Sequence, residues 1–489
     1  MTTTGLDCID YLGSSRKQRA MPDREPNGVD AVAESSDVVA QQFLRRIEKL
    51  ALTLLSARFV SPDELWQFQL DLLHLQRDIQ AAITSSKSLA KREKDTMDVL
   101  AELRICRWHA RRLGDAFAWV MLGGNMQIIE PLSRNNRTVV ARDSHGSRGM
   151  LLAARYLARQ GWGFPLIHDI TDCLRIGDVT FVRVNEGSER ACNTAEVKTR
   201  ARLKRRLETE NLAEYEYRMQ VLSPVPSDDA QMDRVILEGA GFESVISSPA
   251  RPVGRRIGRQ ANRMSTALVH QTAGLDVLIE EDGEVPALWT AVKAPVTTHW
   301  KSLQRVVRKA RRNGYGSECV DGAFLYVAFY GADGLTPELM DRSRLKEDLS
   351  NPALLVKDRT RGNVLSIALI PPLEQVSAHL FRPFYLYPIP RSSICDLLHG
   401  RMIVLVCYNE SRLAESLEEA GFNVDYNSKI KRSPLIVTGS VTTKNGAEYR
   451  VQPADLRYYL DEIVYEFRGR DSVVQLAHAM VNAAANVLT

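Results

Sequence analysis

The segment from Gly177 to Thr199, GDVTFVRVNEGSERACNTAEVKT, carries the residues of this chain that are best suited to chemistry. Asp178 begins an apolar run typical of a strand, and a second such run ends in Glu196-Val197-Lys198. Residues two apart in a strand project from the same face, so Glu196 and Lys198 are expected to point together. Asp178, on the neighbouring strand, would join them.

Two carboxylates and a lysine at one sheet edge suit metal-assisted cleavage of a phosphodiester bond. The metal activates water and neutralises charge at the phosphorus. Mg²⁺ prefers carboxylate oxygens and keeps several waters, so one or two acids and the substrate phosphate suffice to hold it. A lysine can orient the water or stabilise the developing charge. We therefore predict a Mg²⁺ (or Mn²⁺) site at Asp178 and Glu196, with Lys198 as a third catalytic residue.

Structural roles are open for the same three residues. Glu196 and Lys198 could form an exposed charge pair in the sheet, which would contribute less than about 1 kcal/mol. Asp178, which follows Gly177, could be a turn residue.

The spacing between Asp178 and Glu196-Val197-Lys198 resembles the PD-(D/E)xK, or restriction-endonuclease-like, nuclease superfamily over residues 100–225. This resemblance implies an α/β fold with a mixed sheet flanked by helices, in the order helix, three-stranded meander, helix. It also implies that Asp178 and Glu196 hold the metal and that Lys198 assists the nucleophile. The chain departs from the family pattern at Gly177, where the family has proline.

The resemblance extends to residues on the flanking helices. Asp115, in RRLGDAFAW, stands where many members add a metal-binding acid, and Arg218 and Gln220, in EYEYRMQ, match polar residues of the following helix. The residues themselves allow another interpretation for Asp115, an ion pair with Arg111 one turn earlier. The apolar AFAWVML after Asp115 instead indicates burial, where an acid needs a partner or a metal.

The length of 489 residues predicts two or three domains. Residues 1–36 are polar and unpatterned and are predicted to be a flexible leader. Residues 37–100 are predicted to form a helical hairpin for packing or dimerisation, with binding of a partner protein as the alternative. We assign residues 101–330 to the nuclease-like domain and residues 331–489 to a C-terminal α/β domain.

Periodicity predicts the elements inside these domains. MQIIEPL, FPLIHDI and GDVTFVRV are predicted to be strands, and SRGMLLAARYLARQGW and LAEYEYRMQVL to be helices. GLDVLIEEDGEVPALWTAVK is predicted to be a hairpin that turns at Asp282-Gly283. Asp276 and Ala291-Val292-Lys293 in this segment imitate the candidate motif, but alanine stands where the motif has its second acid. The segment is therefore predicted to be a structural hairpin, with a decayed second nuclease-like unit as the alternative. RMIVLVCYN, ESRLAESLEEAGFN and SPLIVTGSV predict strand, helix and strand.

Three basic clusters, at 198–206, 251–263 and 301–312, follow the candidate site. We predict that the last two bind the phosphate backbone of a nucleic acid. The alternative is a solvated helix face with internal ion pairs, which fits the first cluster best because acids follow it directly. The predicted nucleic-acid contacts are Arg218, Gln220, Arg255, Arg256, Arg259, Arg305, Arg308 and Arg312.

The composition narrows the class of protein. A hydrophobic content of 44% and a charged content of 25% are ordinary for a globular protein, and a net charge of +4 does not by itself indicate nucleic acid. The seven cysteines include no CxxC pair, which favours a reducing cytosol over a disulfide framework or a zinc site. No apolar run predicts a signal peptide or a membrane span. His168 and His299 lack metal-spaced partners and are predicted to be structural.

These features predict a Mg²⁺-dependent endonuclease of the cytoplasm that acts on DNA more than on RNA. The resemblance implies restriction or anti-phage defence, a homo-oligomer, and partner proteins of a defence system. The alternatives are an RNA-cleaving nuclease of the same chemistry and a non-catalytic interaction scaffold with a nuclease-like fold. The chain has no GxxxxGK[ST] loop or GxGxxG turn, so any ATP hydrolysis would belong to another protein.

Overall fold

The computed structural model divides the chain into two compact units, residues 36–275 and residues 276–489. The described residues are 30–56, 61–90, 96–133, 144–184, 190–206, 213–224, 232–238, 243–246, 277–279, 287–289, 297–336, 340, 342–352, 354, 365–371, 381–426, 435–442, 448–451 and 463–488. The predicted leader lies almost entirely outside them.

Helices open the first unit. They are α1 (Asp30–Leu55), α2 (Pro62–Ala90), α3 (Thr96–Leu122), α4 (Met126–Ser133) and α5 (His145–Leu157), and a π-helical turn at 158–162 follows α5. The sequence Ser61-Pro62-Asp63-Glu64 predicts a helix capped by Ser61, and the Ser61 hydroxyl accepts the Glu64 amide at 3.2 Å. The Gly123-Gly124 pair predicts the end of a helix, and both residues, with φ of 69° and 65°, follow the last residue of α3. The sequence predicts a third helix from about Lys87 to Leu122, whereas α2 continues to Ala90 and α3 begins only at Thr96.

An antiparallel six-stranded sheet follows, with its strands in sequence order. The strands are β1 (Phe164–Ile167), β2 (Val179–Val184), β3 (Arg190–Arg206), β4 (Ala213–Pro224), β5 (Met232–Glu238) and β6 (Glu243–Ile246). In β2 and β3, Val179 pairs with Ala195, and in β3 and β4, Glu196 pairs with Leu222. This register places the two predicted acids on neighbouring strands.

One face of the β1–β3 region forms a core with α5. Met150, Ala153 and Leu157 of the helix lie in one buried cluster with strand residues Ile167, Val179, Phe181, Ala195 and Val197. Side chains alternate between the two faces of a sheet, so Thr180, Thr194 and Glu196 belong to the opposite face. These three are buried as well. Both faces of this part of the sheet are therefore protected from solvent.

The second unit contains three sheets. Strands β9 (Tyr315–Val320), β10 (Phe324–Tyr330), β11 (Leu365–Ile370) and β12 (Met402–Asn409) form a sheet in the order β11-β12-β10-β9, and helix α6 (Trp300–Asn313) precedes β9. The remaining elements are β7 (Val277–Ile279) paired with β8 (Ala287–Trp289), α7 (Arg342–Leu349), α8 (Arg391–Leu398), α9 (Glu410–Glu419), β13 (Asn423–Tyr426), β14 (Leu435–Thr442), β15 (Glu448–Val451) and α10 (Arg470–Leu488).

The architecture confirms a mixture of helices and β-sheets, and those sheets are antiparallel. The strands predicted at FPLI and GDVTFVRV, the 277–289 hairpin, and the strand-helix-strand of β12, α9 and β14 are present. The predicted domain boundary at 330 is wrong, because β10 pairs along its length with β12. None of the helices in the described part of the chain combines the length and hydropathy needed to cross a bilayer.

Two predicted elements have the opposite type. MQIIEPL is helix α4, and LAEYEYRMQVL is strand β4. Ile128, Ile129 and Leu132 are buried at helical spacing in α4. In β4 the sequence alternates Tyr-Glu-Tyr-Arg-Met-Gln-Val, which is the period of a strand. The helix expected after the acidic strand is thus replaced by a paired strand.

Candidate functional site

Asp178 lies just before the start of β2, directly after a tight turn at Gly177. Gly177 has φ of 80°, and a Cβ there would lie 2.7 Å from the Thr194 methyl group and 3.1 Å from the Ala195 carbonyl oxygen. Proline, which the family pattern has at this position, is restricted to φ near −65° and cannot adopt this backbone. The departure from that pattern is therefore a requirement of the turn.

Hydrogen bonds fix Asp178 against β3 on both sides of Glu196. Its backbone amide donates to the Ala195 carbonyl at 2.9 Å, and its carboxylate Oδ2 accepts the Val197 amide at 2.7 Å. Glu196 lies between these two partners and is only 4% exposed. The fold thus brings the two predicted acids side by side on adjacent strands.

Lys198 follows Glu196 by two residues in β3 and pairs with Gln220 of β4. Its backbone position agrees with the predicted arrangement, whereas its side chain lies outside the described part of the structure. Arg218 pairs with Arg200 in the same ladder. The prediction that Arg218 and Gln220 lie on a helix is wrong, because both belong to β4.

His168 holds the turn that carries Asp178. Its backbone amide donates to the Asp178 carbonyl at 3.0 Å. Its Nδ1 lies 3.2 Å from the Gly177 carbonyl, which can only accept, so Nδ1 carries the proton. His168 is therefore tied to both residues of the turn, and the prediction of a structural histidine is confirmed. His299 is likewise satisfied, by Tyr326 and Asp321 at 2.7 Å each.

A short polar row continues from His168 across the buried face of the sheet. With Nδ1 protonated, Nε2 must accept, and it lies 2.8 Å from the Thr180 hydroxyl. Thr180 then accepts from the Thr194 hydroxyl at 2.9 Å. Burial lowers the pKa of His168 to about 4, which keeps the ring neutral. The two threonines could not be predicted as members of this row, because nothing in their local sequence sets them apart.

Asp115 is buried in α3 with partners of its own. Oδ2 lies 2.9 Å from an Arg112 nitrogen, and Oδ1 accepts the backbone amides of Asp172 and Cys173 at 2.6 and 2.8 Å. Burial raises the pKa of the Asp115 carboxyl against the opposing effect of Arg112. The predicted burial is confirmed, whereas the alternative ion pair with Arg111 is wrong, since Arg111 pairs with Asp172 at 3.0 Å.

These contacts bear directly on Asp115 as a metal ligand. Among the described residues, no three His, Cys, Asp or Glu side chains form a group that could hold a metal ion. Asp115 therefore does not complete a three-acid site with Asp178 and Glu196, because its oxygens hold the 172–173 backbone and Arg112. This corrects the expectation that α3 supplies a metal ligand.

Helices α2 and α3 anchor the loop that leads to the candidate site. Gln76 donates to the carbonyls of Ala110 at 3.0 Å and Ile170 at 2.9 Å. Arg111 donates to the carbonyls of Asp169 and Thr171. Buried polar groups of this kind stabilise a structure when all of them are paired. The helical segment is thus part of the scaffold of the site.

The carboxylates of Asp178 and Glu196 are the side chains here that could hold Mg²⁺ or Mn²⁺. Both supply the hard oxygen donors that these ions prefer, and Mg²⁺ commonly uses one or two carboxylates and keeps its waters. The pair therefore fits such an ion without a third acid. Oδ2 of Asp178 already accepts the Val197 amide, which fixes the orientation of that carboxylate.

The predicted nucleic-acid contacts fall in different parts of the chain. Arg255, Arg256 and Arg259 lie outside the described residues. Arg305, Arg308 and Arg312 lie on α6 in the second unit, with exposed side chains.

Comparison of this chain with protein-family models, with curated proteins and with solved structures finds no match. The geometry of the site and the chemistry of its residues are therefore the basis for assigning a function.

Proposed function

We propose that this chain is a metal-dependent nuclease that hydrolyses phosphodiester bonds in DNA. One observation carries the proposal: Asp178 hydrogen-bonds to β3 at Ala195 and Val197, the two neighbours of the buried Glu196. Two acids on adjacent strands, with a lysine two residues further on, supply the groups that such hydrolysis needs.

Each residue has a distinct part in this proposal. Asp178 and Glu196 would hold Mg²⁺ or Mn²⁺, which supplies an activated water and charge neutralisation when bound. The Val197 amide fixes the Asp178 carboxylate in one orientation before substrate arrives. Glu196 is only 4% exposed, so bulk solvent screens its electrostatic interactions less than those of a surface carboxylate. Lys198 would orient the attacking water or stabilise charge on the phosphate. The same proposal includes a cytoplasmic location and a homo-oligomeric state. It also includes a role in restriction or anti-phage defence together with partner proteins.

A second candidate is a non-catalytic interaction scaffold. Two hydrogen bonds favour it. Oδ2 of Asp178 accepts the Val197 amide, and Oδ1 of Asp115 accepts the Asp172 amide, so both acids already have a role in the fold. In a scaffold these acids would serve the fold alone, and divalent ions would have no site that depends on them.

Cleavage assays separate the candidates. The wild type, E196Q and K198M would be incubated with plasmid DNA, single-stranded DNA and transfer RNA in Mg²⁺ or Mn²⁺. D63N removes an exposed acid of α2 and serves as a matched control. We expect wild type and D63N to cleave DNA, and each site variant to lose at least about 100-fold in rate, the loss typical of one transition-state group.

Binding of Mn²⁺ measured by calorimetry completes the test. We expect a site in the wild type that weakens strongly in D178N and E196Q. Equal cleavage by E196Q and wild type would overturn the catalytic assignment. A wild type that cleaves no substrate and binds no Mn²⁺ would establish the scaffold instead, and cleavage of RNA alone would change the substrate but keep the chemistry.

A further inference from the structure

Helix α6 of the second unit separates an apolar face from a basic face. Leu303, Val306, Val307 and Ala310 are buried. The basic residues, all exposed, are Lys301, Arg305, Arg308, Lys309, Arg311 and Arg312. At 3.6 residues per turn, Lys301, Arg308 and Arg312 fall within about 40° of one another, opposite the buried face. They form a row along the outside of the helix.

Two of the basic residues are occupied by acids of the same unit. Arg305 contacts Glu318 through both Nε, at 2.9 Å, and a terminal nitrogen, at 2.5 Å. This pairing lowers the pKa of Glu318. Arg311 lies 3.0 Å from the buried Asp396, which Arg401 also contacts at 3.0 Å. Neither arginine is available to a ligand without breaking an existing pair.

The other four cations have no such partner in the part of the chain that the structure describes. No ion pair within the described residues involves Lys301, Arg308, Lys309 or Arg312. Of the three predicted contacts on this helix, Arg305 is engaged by Glu318, whereas Arg308 and Arg312, like the two lysines, have no ion pair among the described residues. Like charges gathered on one face repel one another, so an anionic ligand would stabilise the face.

We propose that these four residues form a binding surface for the phosphodiester backbone of a nucleic acid. The row from Lys301 to Arg312 spans eleven residues, or about 16 Å at 1.5 Å per residue. Successive phosphates of one strand follow at 3.4 Å along the duplex axis, so a row of this length can reach more than one of them. The positive charge of the row, to which Lys309 adds on one side, is complementary to the negative charge of these phosphates.

A membrane surface fits the helix less well. Helices that lie on bilayers insert an apolar face between the lipids. The apolar face of α6 is already buried in its own unit, where Leu303, Val306 and Val307 are each 1% exposed or less. Only the basic face of α6 is available to a ligand, which favours a polyanion that contacts the helix through its charges.

The surface is independent of the proposed hydrolysis, because binding to it requires no metal. The full chain would be titrated against fluorescent duplex DNA, single-stranded DNA and duplex RNA in EDTA, at salt concentrations from about 50 to 200 mM. R308Q/R312Q removes two proposed contacts. R45Q/K49Q removes two exposed cations from α1 and is the control of equal charge.

Each phosphate contact contributes about 0.7 to 0.9 to the slope of log affinity against log salt. We expect R308Q/R312Q to reduce the slope by about 1.4 to 1.8, and the quadruple variant K301Q/R308Q/K309Q/R312Q to reduce it by about twice as much. R45Q/K49Q should leave the slope unchanged, and circular dichroism would verify that every variant is folded. Whether DNA or RNA binds more tightly identifies which of the two supplies the backbone.

Two results would overturn the proposal. One is an equal change of slope in R308Q/R312Q and R45Q/K49Q, which would indicate a general charge effect. The other is no detectable binding of any nucleic acid, with binding instead to vesicles of anionic phospholipid or to an acidic polypeptide. Loss of cleavage in the E196Q variant with intact binding would separate this surface from the candidate catalytic site.

Discussion

Acidification is expected to destabilise the first unit through His168. The neutral ring donates from Nδ1 to the Gly177 carbonyl and accepts the Thr180 hydroxyl at Nε2. Protonation would turn Nε2 into a second donor, and the hydroxyl of Thr180 would have to reverse. Because Thr180 also contacts Thr194, the whole polar row would have to change.

The magnitude follows from the displacement of the pKa. Burial lowers the pKa of His168 from 6.5 to about 4. The unfolded chain therefore binds the proton more tightly than the folded chain. The stabilisation is complete above pH 6.5 and is lost as the pH falls from 6.5 towards 4. At 1.36 kcal/mol per pKa unit, the loss is about 3 kcal/mol.

Urea unfolding of the full chain at about pH 7.5 and about pH 4 measures this loss, with the transition of the first unit identified by hydrogen exchange in residues 164–184. The difference between wild type and H168Q cancels the other titrating groups. We expect wild type to lose about 3 kcal/mol relative to H168Q over this range. H74Q, at an exposed histidine of α2, is the control. A wild-type-to-H168Q difference that is equal at both pH values would refute the reasoning.

Two further predictions concern α3. D115N should lower the free energy of unfolding by about 3 to 5 kcal/mol, because it leaves the Arg112 charge buried without its partner, and urea unfolding at neutral pH measures this. If D115N were nearly neutral for stability but abolished Mn²⁺ binding, Asp115 would be a ligand after all. G114A should prevent normal packing, since its Cβ would lie 1.7 Å from the Ile170 carbonyl oxygen. G146A, which meets only the Ser144 hydroxyl at 3.6 Å, is the tolerated control in thermal unfolding.

The local patterns around the candidate site were readable from the sequence. FPLI and GDVTFVRV are short apolar runs, and the turn residues between them favour a meander. The cap at Ser61 and the glycine stop at Gly123 follow from elementary helix chemistry. These elements depend on interactions between residues close in sequence, so a single chain is sufficient to predict them.

The wrong predictions concern elements whose structure depends on contacts with residues that are distant in the sequence. LAEYEYRMQVL has residues that suit a helix, but pairing with β3 and β5 makes it a strand. The predicted domain boundary is wrong because β10 pairs with β12, which lies more than seventy residues later in the chain. Hydrophobic periodicity does not reveal such a long-range pairing. The partners of Asp115 were missed for the same reason, since two of them are backbone amides of the 172–173 segment.

The contacts of Asp115 also change what the helical segment does for the site. Asp115 is predicted to be a metal ligand, but its Oδ1 accepts the backbone amides of Asp172 and Cys173 instead. Gln76 and Arg111 donate hydrogen bonds to backbone carbonyls of the same loop, which continues to Gly177 and Asp178. Because the Gly177 turn packs directly against Thr194 and Ala195 and is hydrogen-bonded to His168, a displaced loop would move Asp178 relative to Glu196. The helices therefore act on the proposed chemistry by positioning this loop.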